Sequence, residues 1–517
     1  MTIATETELK LAVSEDGLLQ VARLPWLRTE RQGRSRTRVL DSVYYDTDDG
    51  RLWKRGVTVR LRRVEGRWVQ TVKAGGRDEA GVFRRLEWEE EIAGANPTLD
   101  KPRAAGLDAA LAGVTDAALR PRFSTEIRRT EVPISNGSSR VLLALDRGTV
   151  RGDGRALPIH EVELELAEGT PADLYALALR IAEAVPVRLE SQSKAARGHD
   201  LTVGAAAPTP VKGKAPDLSP EMTVAEAFQA IASGCLAQID ANARPLLDGR
   251  DGEAVHQMRV ATRRLRSAMT TFRALVAGPD LEAVKTELRW LMGALGPARD
   301  ADVFLTDILD PVRTCFRGDS GLDSLRRLFA DRRDARIEDA VAAVADPRFA
   351  RLLLRIGAWI EGGDWLTAAD RPGRDAPVTD FARAMLARRW RKVAKPARRF
   401  DRLSEAKRHR LRIQVKKLRY TAEFFASLFN RKAVKGLLGA LSDLQDELGA
   451  LNDVAVATAV LHDTLAEQRT GDDIAAATER AWAAGLVAGW HRRDAADRLA
   501  DAAETLARVR HKAGYWK

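Results

Sequence analysis

The stretch Glu6-Thr7-Glu8-Leu9-Lys10 carries charged side chains at every second position. In a β-strand, alternate side chains point to the same side, so these charges would share one face and leave the other to Leu9 and Leu11. The pattern is not isolated. Positions that would share one face of a strand, all but Val69 polar or charged, recur with the same spacing at Arg60 and Arg62, at Val69, Thr71 and Lys73, at Arg85, Glu87 and Glu89, and at Glu161, Glu163 and Glu165.

Residues 1–203 contain about eight such strand-like runs, most of them bounded by Gly, Asp-Gly or Pro. These residues are typical of turns between antiparallel strands. Eight strands predict a barrel or a sandwich, with helical inserts near 100–112 and 171–185. A sandwich with solvated polar faces explains each strand taken alone. Two features favour a barrel instead. The charged faces mix basic and acidic clusters, and the opposite faces are apolar enough to need cover. A barrel with a charged lumen and an exterior covered by helices accommodates both.

A lumen of this kind has two chemical uses. Its Arg and Lys side chains can bind a polyanion. Its carboxylates can bind a hard divalent cation, because Mg²⁺ is usually held by one or two carboxylates together with substrate phosphates. Phosphoryl transfer depends mainly on positioning and charge stabilisation, so it requires no serine, cysteine or histidine nucleophile.

The opening motif resembles the ExExK signature of the CYTH, or triphosphate tunnel metalloenzyme, superfamily. One short match would be weak evidence, but the resemblance continues in order along residues 1–203. The further matching stretches are YYDT (44–47), VRLRR (59–63), TVKA (71–74), RRLEW (84–88), LALD (143–146), EVELEL (161–166) and SKAARG (193–198).

This resemblance implies an eight-stranded antiparallel tunnel that binds triphosphate and hydrolyses or transfers it with a divalent metal, Mg²⁺ or Mn²⁺. It implies catalytic roles for Glu6, Glu8 and Lys10. In the segment 127–130 the inward arginine is ambiguous, and Arg129 is preferred over Arg128. Many relatives carry an acid shortly after the aspartate, where this chain has Thr149. The implied phosphate contacts are Lys10, Arg60, Arg62, Lys73, Arg85, Arg129, Lys194 and Arg197, and the implied metal ligands are Glu6, Glu8, Asp146, Glu161 and Glu163, with Glu165 a lesser candidate.

The rest of the chain differs from residues 1–203 in the spacing of its apolar residues and in its net charge. Residues 204–220 are rich in Ala, Pro and Gly and predict a linker. Beyond them, helical spacing replaces the strand pattern over some 300 residues. Residues 1–203 hold 32 Lys and Arg against 31 Asp and Glu, so the remainder carries +10 of the total charge of +11. This excess predicts a polyanionic partner for the helical part.

The helical part also repeats itself. HQMRVATRRLR begins at 256 and HRLRIQVKKLR at 409, while LGPARDAD begins at 295 and LGALNDVA at 448, so both pairs are 153 residues apart. Two blocks with one offset predict an internal duplication of a helical bundle. We therefore expect an α+β chain of two domains, with the barrel in 1–203 and an all-α domain of two repeats, roughly 222–375 and 376–517, in 221–517.

Each repeat carries a basic stripe on one helix. His256, Arg259, Arg263 and Arg266 fall at i, i+3, i+7 and i+10, and His409, Arg412, Lys416 and Arg419 have the same offsets. Arg264 and Lys417 flank the two stripes. A solvated surface is the usual explanation of a basic face, but the same charges in both repeats favour a polyanion site. These features resemble the CHAD domain, a helical module linked to polyphosphate binding; the resemblance includes RDAD (299–302), NDVA (452–455) and RHKAGYW (510–516).

The stripes contain no aromatic residue for base stacking, so polyphosphate is the expected partner and specific nucleic-acid binding is not. For the tunnel, we expect inorganic triphosphate or short polyphosphate as the substrate. A class IV adenylate cyclase-like enzyme and a non-catalytic polyphosphate-granule scaffold remain the alternatives.

The amino-acid composition indicates the class of protein and its expected location. Apolar residues make up 45% of the 517 and charged residues 30%, the balance of a soluble globular protein. No apolar run approaches the roughly 18 residues of a membrane span, so we expect no membrane partner. With two cysteines, Cys235 and Cys315, and no secretory signal, we expect a cytoplasmic location, with association with polyphosphate granules as a further hypothesis.

Overall fold

The structure is a computed structural model that describes residues 4–79, 82–137, 139–204, 207–368, 371, 373–467, 474–493 and 495–516. Two compact units interleave along the chain. The first consists of Met1–Thr209, Leu236–Gly249 and Val344–Thr367, and the second of Pro210–Cys235, Arg250–Ala343 and Ala368–Lys517. The expected combination of an antiparallel β domain with a helical domain is confirmed, whereas the domain limits at 203 and 221 stay predictions.

Strands dominate the first unit, and helices make up the described part of the second. The strands are β1 (Ala4–Ala12), β2 (Arg36–Asp46), β3 (Val57–Val64), β4 (Arg67–Glu79), β5 (Val82–Ile92), β6 (Arg120–Asn136), β7 (Ser139–Gly152), β8 (Arg155–Glu168) and β9 (Arg188–Leu189). The helices are α1 (Glu15–Ala22), α2 (Pro25–Thr29), α3 (Arg51–Lys54), α4 (Asp100–Pro102), α5 (Asp108–Leu111), α6 (Pro171–Ala184), α7 (Lys194–Val203), α8 (Val224–Ala241), α9 (Ala243–Gly249), α10 (Gly252–Thr271), α11 (Arg273–Val276), α12 (Pro279–Val303), α13 (Asp310–Cys315), α14 (Ser320–Ala345), α15 (Pro347–Gly362), α16 (Asp364–Thr367), α17 (Val378–Ala397), α18 (Glu405–Phe424), α19 (Arg431–Glu467), α20 (Ile474–Arg493) and α21 (Ala495–Lys512). No helix in these described segments is both long and apolar enough to cross a membrane.

The eight long strands form one closed antiparallel barrel. Their order is β5-β4-β3-β2-β6-β7-β8-β1, and β1 also pairs with β5. The first half of β1 lies against β5, with Glu6 opposite Arg85, and its second half lies against β8, with Lys10 opposite Glu163. Short β9 adds to the end of β1. Closure satisfies the strand edges that an open sheet would expose, and it confirms the predicted eight-stranded barrel.

The apolar faces of the strands point outward and are covered by helices. Leu9 and Leu11 are fully buried in a core formed with α1, α2, α6 and α15. A second outer core joins Val59 of β3 and Trp88 of β5 to α3 and to the insert that contains α4 and α5. Both helical inserts therefore lie where the sequence predicts them, and burial of these faces leaves the alternate, charged positions to the lumen.

One end of the lumen is filled by apolar side chains. Leu40, Ile127, Val150 and Ile159 occupy lumen-facing positions of β2, β6, β7 and β8, and they pack with Leu201 of α7. Helix α7 therefore plugs the barrel on the inside, in contrast to α1 and α6, which cover the outside. It begins at Lys194, directly after the N-cap residue Ser193, whose hydroxyl accepts a hydrogen bond from the Ala196 backbone N–H.

The duplication is visible in the helices of the second unit. Helices α10 and α18 both begin and end 153 residues apart. The residues that follow them, Phe272 and Phe425, contact each other with ring centroids 6.0 Å apart. Backbone segments preceding α8 and α17 also meet, in an antiparallel bridge between Thr223 and Pro377. Equivalent elements therefore face each other, as packing about a pseudo-twofold axis requires.

Gly198 tests how closely α7 must approach the barrel. An added Cβ at this position would overlap the Phe123 ring of β6. We expect Gly198→Ala to lower the free energy of unfolding by about 1–3 kcal/mol, because the added methyl group would overpack the interface and push α7 away from the barrel strands. Thermal denaturation followed by circular dichroism measures the change.

A matched glycine gives the control for this experiment. Gly293 lies within α12, and apart from its chain neighbours and the nearby backbone of that helix, a Cβ at this position would meet no atom within 4 Å. Gly293→Ala should leave stability unchanged or raise it, since Ala favours a helix interior over Gly by about 1 kcal/mol. Equal destabilisation by the two variants would contradict the close approach of α7.

Candidate functional site

A cavity of about 510 Å³ occupies the polar part of the barrel lumen. Its walls are the charged faces of the strands together with the start of α7. Of the predicted tunnel residues, those that line it are Glu6, Glu8, Lys10, Arg60, Arg62, Lys73, Arg129, Glu163, Lys194 and the lesser candidate Glu165.

Two arginines of β3 form a basic wall with mostly neutral partners. Arg60 donates to the Thr71 hydroxyl at 3.2–3.3 Å and lies 3.7 Å from Glu89, while Arg62 donates Nε–H to Ser42 Oγ at 3.2 Å. Among the described side chains, no carboxylate forms a salt bridge with Arg62. Burial and the adjacent Arg60 charge lower the pKa of Arg62 to about 9. An anion placed beside Arg62 would relieve this repulsion.

Three carboxylates meet on β7 and β8 at the other side of the lumen. Single oxygens of Asp146, Glu161 and Glu163 lie within 4.8 Å of one another, and all three residues are buried. Lys194 Nζ lies 2.8 Å from Asp146, 2.5 Å from Glu161 and 2.7 Å from Glu163. Burial alone would raise the pKa of Asp146, but Lys194 and Arg129 lower it. The cluster is therefore anionic and is neutralised by side-chain cations.

Arg129 and Lys10 complete the ion pairs of this cluster. Arg129 holds Asp146 with two hydrogen bonds of 2.7 and 2.6 Å and also pairs with Glu163. Lys10 Nζ lies 2.7 Å from Glu163 and 3.1 Å from Glu8. Burial would raise the pKa of Glu163, but Lys10 and Lys194 hold it well below its usual value.

A second acidic group lies along β1, β5 and the end of β8. Glu6 pairs with Lys73, whose Nζ is 3.3 Å from Glu87. Glu165 faces the same region. Burial and the Glu6 and Glu8 carboxylates raise the pKa of Glu165 to about 7. This carboxyl group can therefore exchange a proton near neutral pH.

The structure gathers most, but not all, of the predicted tunnel residues. Arg197 pairs with Glu161, and burial and Arg244 lower its pKa to about 10. The Arg85 side chain lies outside the described residues. The described lumen also contains residues to which the sequence reasoning assigned no role in the site, although it places Glu87 and Glu89 on a charged strand face. These residues are Arg38, Tyr44, Glu87, Glu89 and Glu131, all on lumen-facing positions of β2, β5 and β6.

The carboxylate cluster fits a divalent metal by its chemistry. Buried oxygen ligands from three carboxylates form the donor set that Mg²⁺ or Mn²⁺ prefers. Of the predicted metal ligands, Glu6 and Glu8 lie outside this cluster and pair with lysines. Thr149 is on the opposite face of β7 from Asp146, because the two positions are an odd number of residues apart along the strand. An acid at this position would therefore point away from the cluster.

The basic stripes of the second unit lie on α10 and α18, which pack against each other. Arg259 lies over Gly296 of α12, where an added Cβ would be 2.9 Å from its guanidinium, and Arg412 lies over Gly449 of α19 in the same way. The two glycines are themselves 153 residues apart. The side chains of residues 450–460, which include the NDVA block, lie outside the described part of the structure.

The members of the stripes differ in their surroundings. His409 and Arg266 are exposed, whereas His256, Arg259, Arg263, Arg412, Lys416, Lys417 and Arg419 are half-buried. Arg264 is buried and donates to the Lys214 carbonyl at 3.3 Å, so it faces the linker and not the stripe. Arg419 pairs with Glu423 at 3.4 Å.

Further cations, which the sequence reasoning missed, surround the stripes. Burial and the charges of Arg389, Lys392 and Arg266 lower the pKa of Lys417. Burial and Arg299 lower the pKa of His256. Cations of α10, α12, α17 and α18 therefore lie close together in one unit, and Arg259 and Arg299 also pair with Asp300 and Asp302. The mutual repulsion of these cations favours binding of a polyanion.

Comparisons with known proteins find two family models in succession along the chain. Residues 4–199 match the CYTH domain model, and residues 230–462 match the CHAD domain model. The chain is 28% identical over 473 residues to an uncharacterized protein of Mycobacterium tuberculosis, with 85% of each chain covered. It is 27% identical over 202 residues to an inorganic triphosphatase of Haemophilus influenzae, covering 38% of this chain and 54% of that protein. The crystal structure of the CHAD domain of Ricinus communis is 32% identical, with a TM-score of 0.50, and covers 58% of this chain and 96% of its own.

The raised pKa of Glu165 predicts a pH-dependent cost in stability. Between the usual glutamate pKa and about 7, the folded protein keeps a proton that the unfolded chain releases, so stability falls as the pH rises through this range. Glu165→Gln should therefore raise the free energy of unfolding at pH 8, by up to roughly 2 kcal/mol after allowance for partial exposure, and should have little effect near pH 4. Urea denaturation in chelator at both pH values measures this, with Glu183→Gln on the exposed face of α6 as the control. An equal effect at both pH values would contradict the assignment.

Proposed function

We propose that this chain, which belongs to the CYTH family through residues 4–199 and to the CHAD family through residues 230–462, hydrolyses inorganic triphosphate in its barrel and binds polyphosphate on its helical unit. The observation that carries the first part is the arrangement of the lumen. A basic wall around Arg60 and Arg62 lines the same cavity as Glu163, and Glu163 belongs to a buried cluster of three carboxylates. A polyanion and a divalent cation bound together would satisfy both sides.

The residues of the lumen suit distinct parts of phosphoryl transfer. Arg60, Arg62 and Lys73 would bind and orient the phosphate oxygens, since hydrolysis depends chiefly on neutralising their charge. Asp146, Glu161 and Glu163 would hold Mg²⁺ or Mn²⁺, with Glu6 and Glu8 as further candidate ligands on β1. When bound, the metal would supply charge neutralisation and polarise an attacking water.

Proton transfer and water exclusion also have candidate residues. Glu165 is a lumen carboxyl group with a pKa of about 7, so it can accept a proton from water at neutral pH. The apolar cluster around Leu201 closes one end of the lumen and limits entry of bulk water from that side. Exclusion of water strengthens the electrostatic interactions between the lumen cations and a bound phosphate.

An adenylate cyclase-like activity is the second candidate, and one feature favours it. A smaller cavity of about 240 Å³ shares Tyr44 and Thr58 with the main one and is lined by the rings of Trp53, Phe123 and His199. Such a cavity could receive the base of a nucleotide. A non-catalytic scaffold is less well supported, because binding a polyanion alone gains nothing from a buried carboxylate cluster.

A substrate panel separates these functions. Tripolyphosphate, ATP and thiamine triphosphate are incubated with the full-length protein in Mg²⁺, in Mn²⁺ and in chelator. The triphosphatase proposal expects metal-dependent release of phosphate from tripolyphosphate. Formation of cyclic AMP without such release would establish the cyclase, and polyphosphate binding without any turnover would establish the scaffold.

Two neighbouring arginines of β3 test the role of the basic wall. Arg62 faces the lumen, and Arg63, the next residue, is exposed on the other face of the strand. Arg62→Met should reduce kcat/KM for tripolyphosphate at least about 100-fold, the loss expected when one charge-stabilising group is removed, while Arg63→Met should leave it within a few-fold of wild type. Steady-state phosphate release gives the numbers. Equal losses in the two variants would argue against phosphate binding at this wall.

We propose that long-chain polyphosphate binds the helical unit at the stripes of α10 and α18. The support comes from two cationic helices that pack together, surrounded by additional cations of α12 and α17. A chain that spans both stripes would gain from bivalency, so short oligophosphates should bind more weakly. This proposal includes a cytoplasmic location in which the protein associates with polyphosphate granules.

Salt dependence tests this site in the full-length protein. Replacing Arg259, Arg263, Arg412 and Lys416 by Gln should weaken polyphosphate binding and reduce the slope of log Kd against log salt by about one for each phosphate group that the variant no longer binds. The charge-matched control replaces four exposed cations outside α10 and α18: Arg273, Arg289, Arg431 and Lys432. Fluorescence anisotropy with labelled polyphosphate measures both. Equal effects of the two sets, or equal affinity for duplex DNA of matched charge, would refute a specific polyphosphate site.

A further inference from the structure

The Lys194 ammonium lies among the three carboxylates that suit a divalent metal. Its Nζ is 2.8 Å from Asp146, 2.5 Å from Glu161 and 2.7 Å from Glu163. The side chains of these acids are 0%, 1% and 7% exposed, and that of Lys194 is 11% exposed. One ammonium thus contacts the same carboxylates that a divalent ion would need.

The surrounding charges are already close to balanced. The acids joined by short ion pairs around Lys194 are matched in number by the cations. They are Glu8, Asp146, Glu161 and Glu163 on one side, and Lys10, Arg129, Lys194 and Arg197 on the other. The next carboxylate, Glu190, lies 3.7 Å from Arg197. A divalent ion added alone would leave this buried network with excess positive charge, which is costly in a poorly solvated interior.

We propose that Lys194 is the resident cation of this cluster in the metal-free protein, and that a divalent ion and the Lys194 ammonium occupy it alternately. The metal enters together with the triphosphate, whose negative charge then binds the displaced ammonium. Lys194 thereby serves as a positioning residue that couples metal binding to substrate binding. This inference rests on the proposed triphosphatase function.

The local structure allows such an exchange of partners. Lys194 is the first residue of α7, directly after the Ser193 cap, and it reaches the cluster through a flexible four-carbon chain. Leu201, two turns further along, fixes α7 in the inner apolar cluster. Arg129, by contrast, is held to Asp146 by two hydrogen bonds from within β6. Lys194 can therefore leave the cluster while the helix stays in place.

Metal binding without turnover tests the proposal. Mn²⁺ is titrated into the full-length protein without phosphate, and bound Mn²⁺ is measured by electron paramagnetic resonance and calorimetry. Lys194→Met removes the competing charge with little change in side-chain volume and should tighten Mn²⁺ binding at least about tenfold. Lys194→Arg keeps the charge and should bind as weakly as wild type. Lys54→Met, at an exposed lysine of α3, is the charge-matched control and should also bind like wild type.

A second measurement uses wild type first, so its main outcome does not depend on folding of Lys194→Met. In wild type, the non-hydrolysable imidotriphosphate should tighten Mn²⁺ binding at least about tenfold, and this gain should shrink in Lys194→Met if circular dichroism shows that variant folded. Tight Mn²⁺ binding by wild type alone, unaffected by imidotriphosphate, would overturn the exchange. Absence of Mn²⁺ binding under every condition would overturn the metal site itself and this inference with it. Lack of turnover with normal Mn²⁺ exchange would instead count only against the proposed activity.

Discussion

Alternate side chains of β1 face opposite sides of the closed barrel wall, and this constraint determines which residues of the first unit line the lumen. Because Leu9 and Leu11 are fully buried against the outer helices, Glu6, Glu8 and Lys10 must point into the lumen. A shift of register by one residue would bury the charges under the helices and send the leucines inside, at a large cost in free energy. The same constraint acts on β3, β4 and β8, so the charged interior is a consequence of how the exterior is packed.

A charged interior can exist only if its charges satisfy one another. Carboxylates of β7 and β8 are held by Arg129 from β6, Lys10 from β1 and Lys194 from α7, so that several elements converge on one cluster. Ion pairs of this kind add little net stability, since desolvation offsets most of their attraction. Their role is better understood as preorganisation. Cations and acids are already paired inside the lumen, and in the proposed exchange only Lys194 changes its partners, so little solvent reorganisation is required when a substrate binds.

Much of this arrangement could be predicted from the sequence, because alternation assigns each residue of a strand to one face. Glu8 and Lys10 are examples, since both line the lumen while Leu9 between them is buried outside it. In β6 the sequence left the inward arginine ambiguous, and in the structure Arg129 pairs with Asp146 while Arg128 is exposed. Alternation does not show what a lumen residue touches across the barrel. Lys194 was predicted as a phosphate contact from its motif alone, and its position among three carboxylates depends on how α7 enters the lumen. Helical periodicity likewise does not predict tertiary contacts. It placed Arg264 beside the basic stripe of α10, but the Arg264 side chain contacts the Lys214 carbonyl, and this contact depends on the path of the linker.

The contact between Phe272 and Phe425 indicates that the two repeats of the helical unit pack like the two subunits of a dimer. These residues are 153 positions apart, at equivalent places in the two repeats, and yet they touch each other. Self-contact of one position with its own equivalent is the geometry of an isologous dimer interface. The unit therefore has the form of a homodimer whose two subunits were joined into a single chain. Fusion makes the pairing of the two basic helices independent of protein concentration, so every molecule carries both stripes side by side however dilute it is.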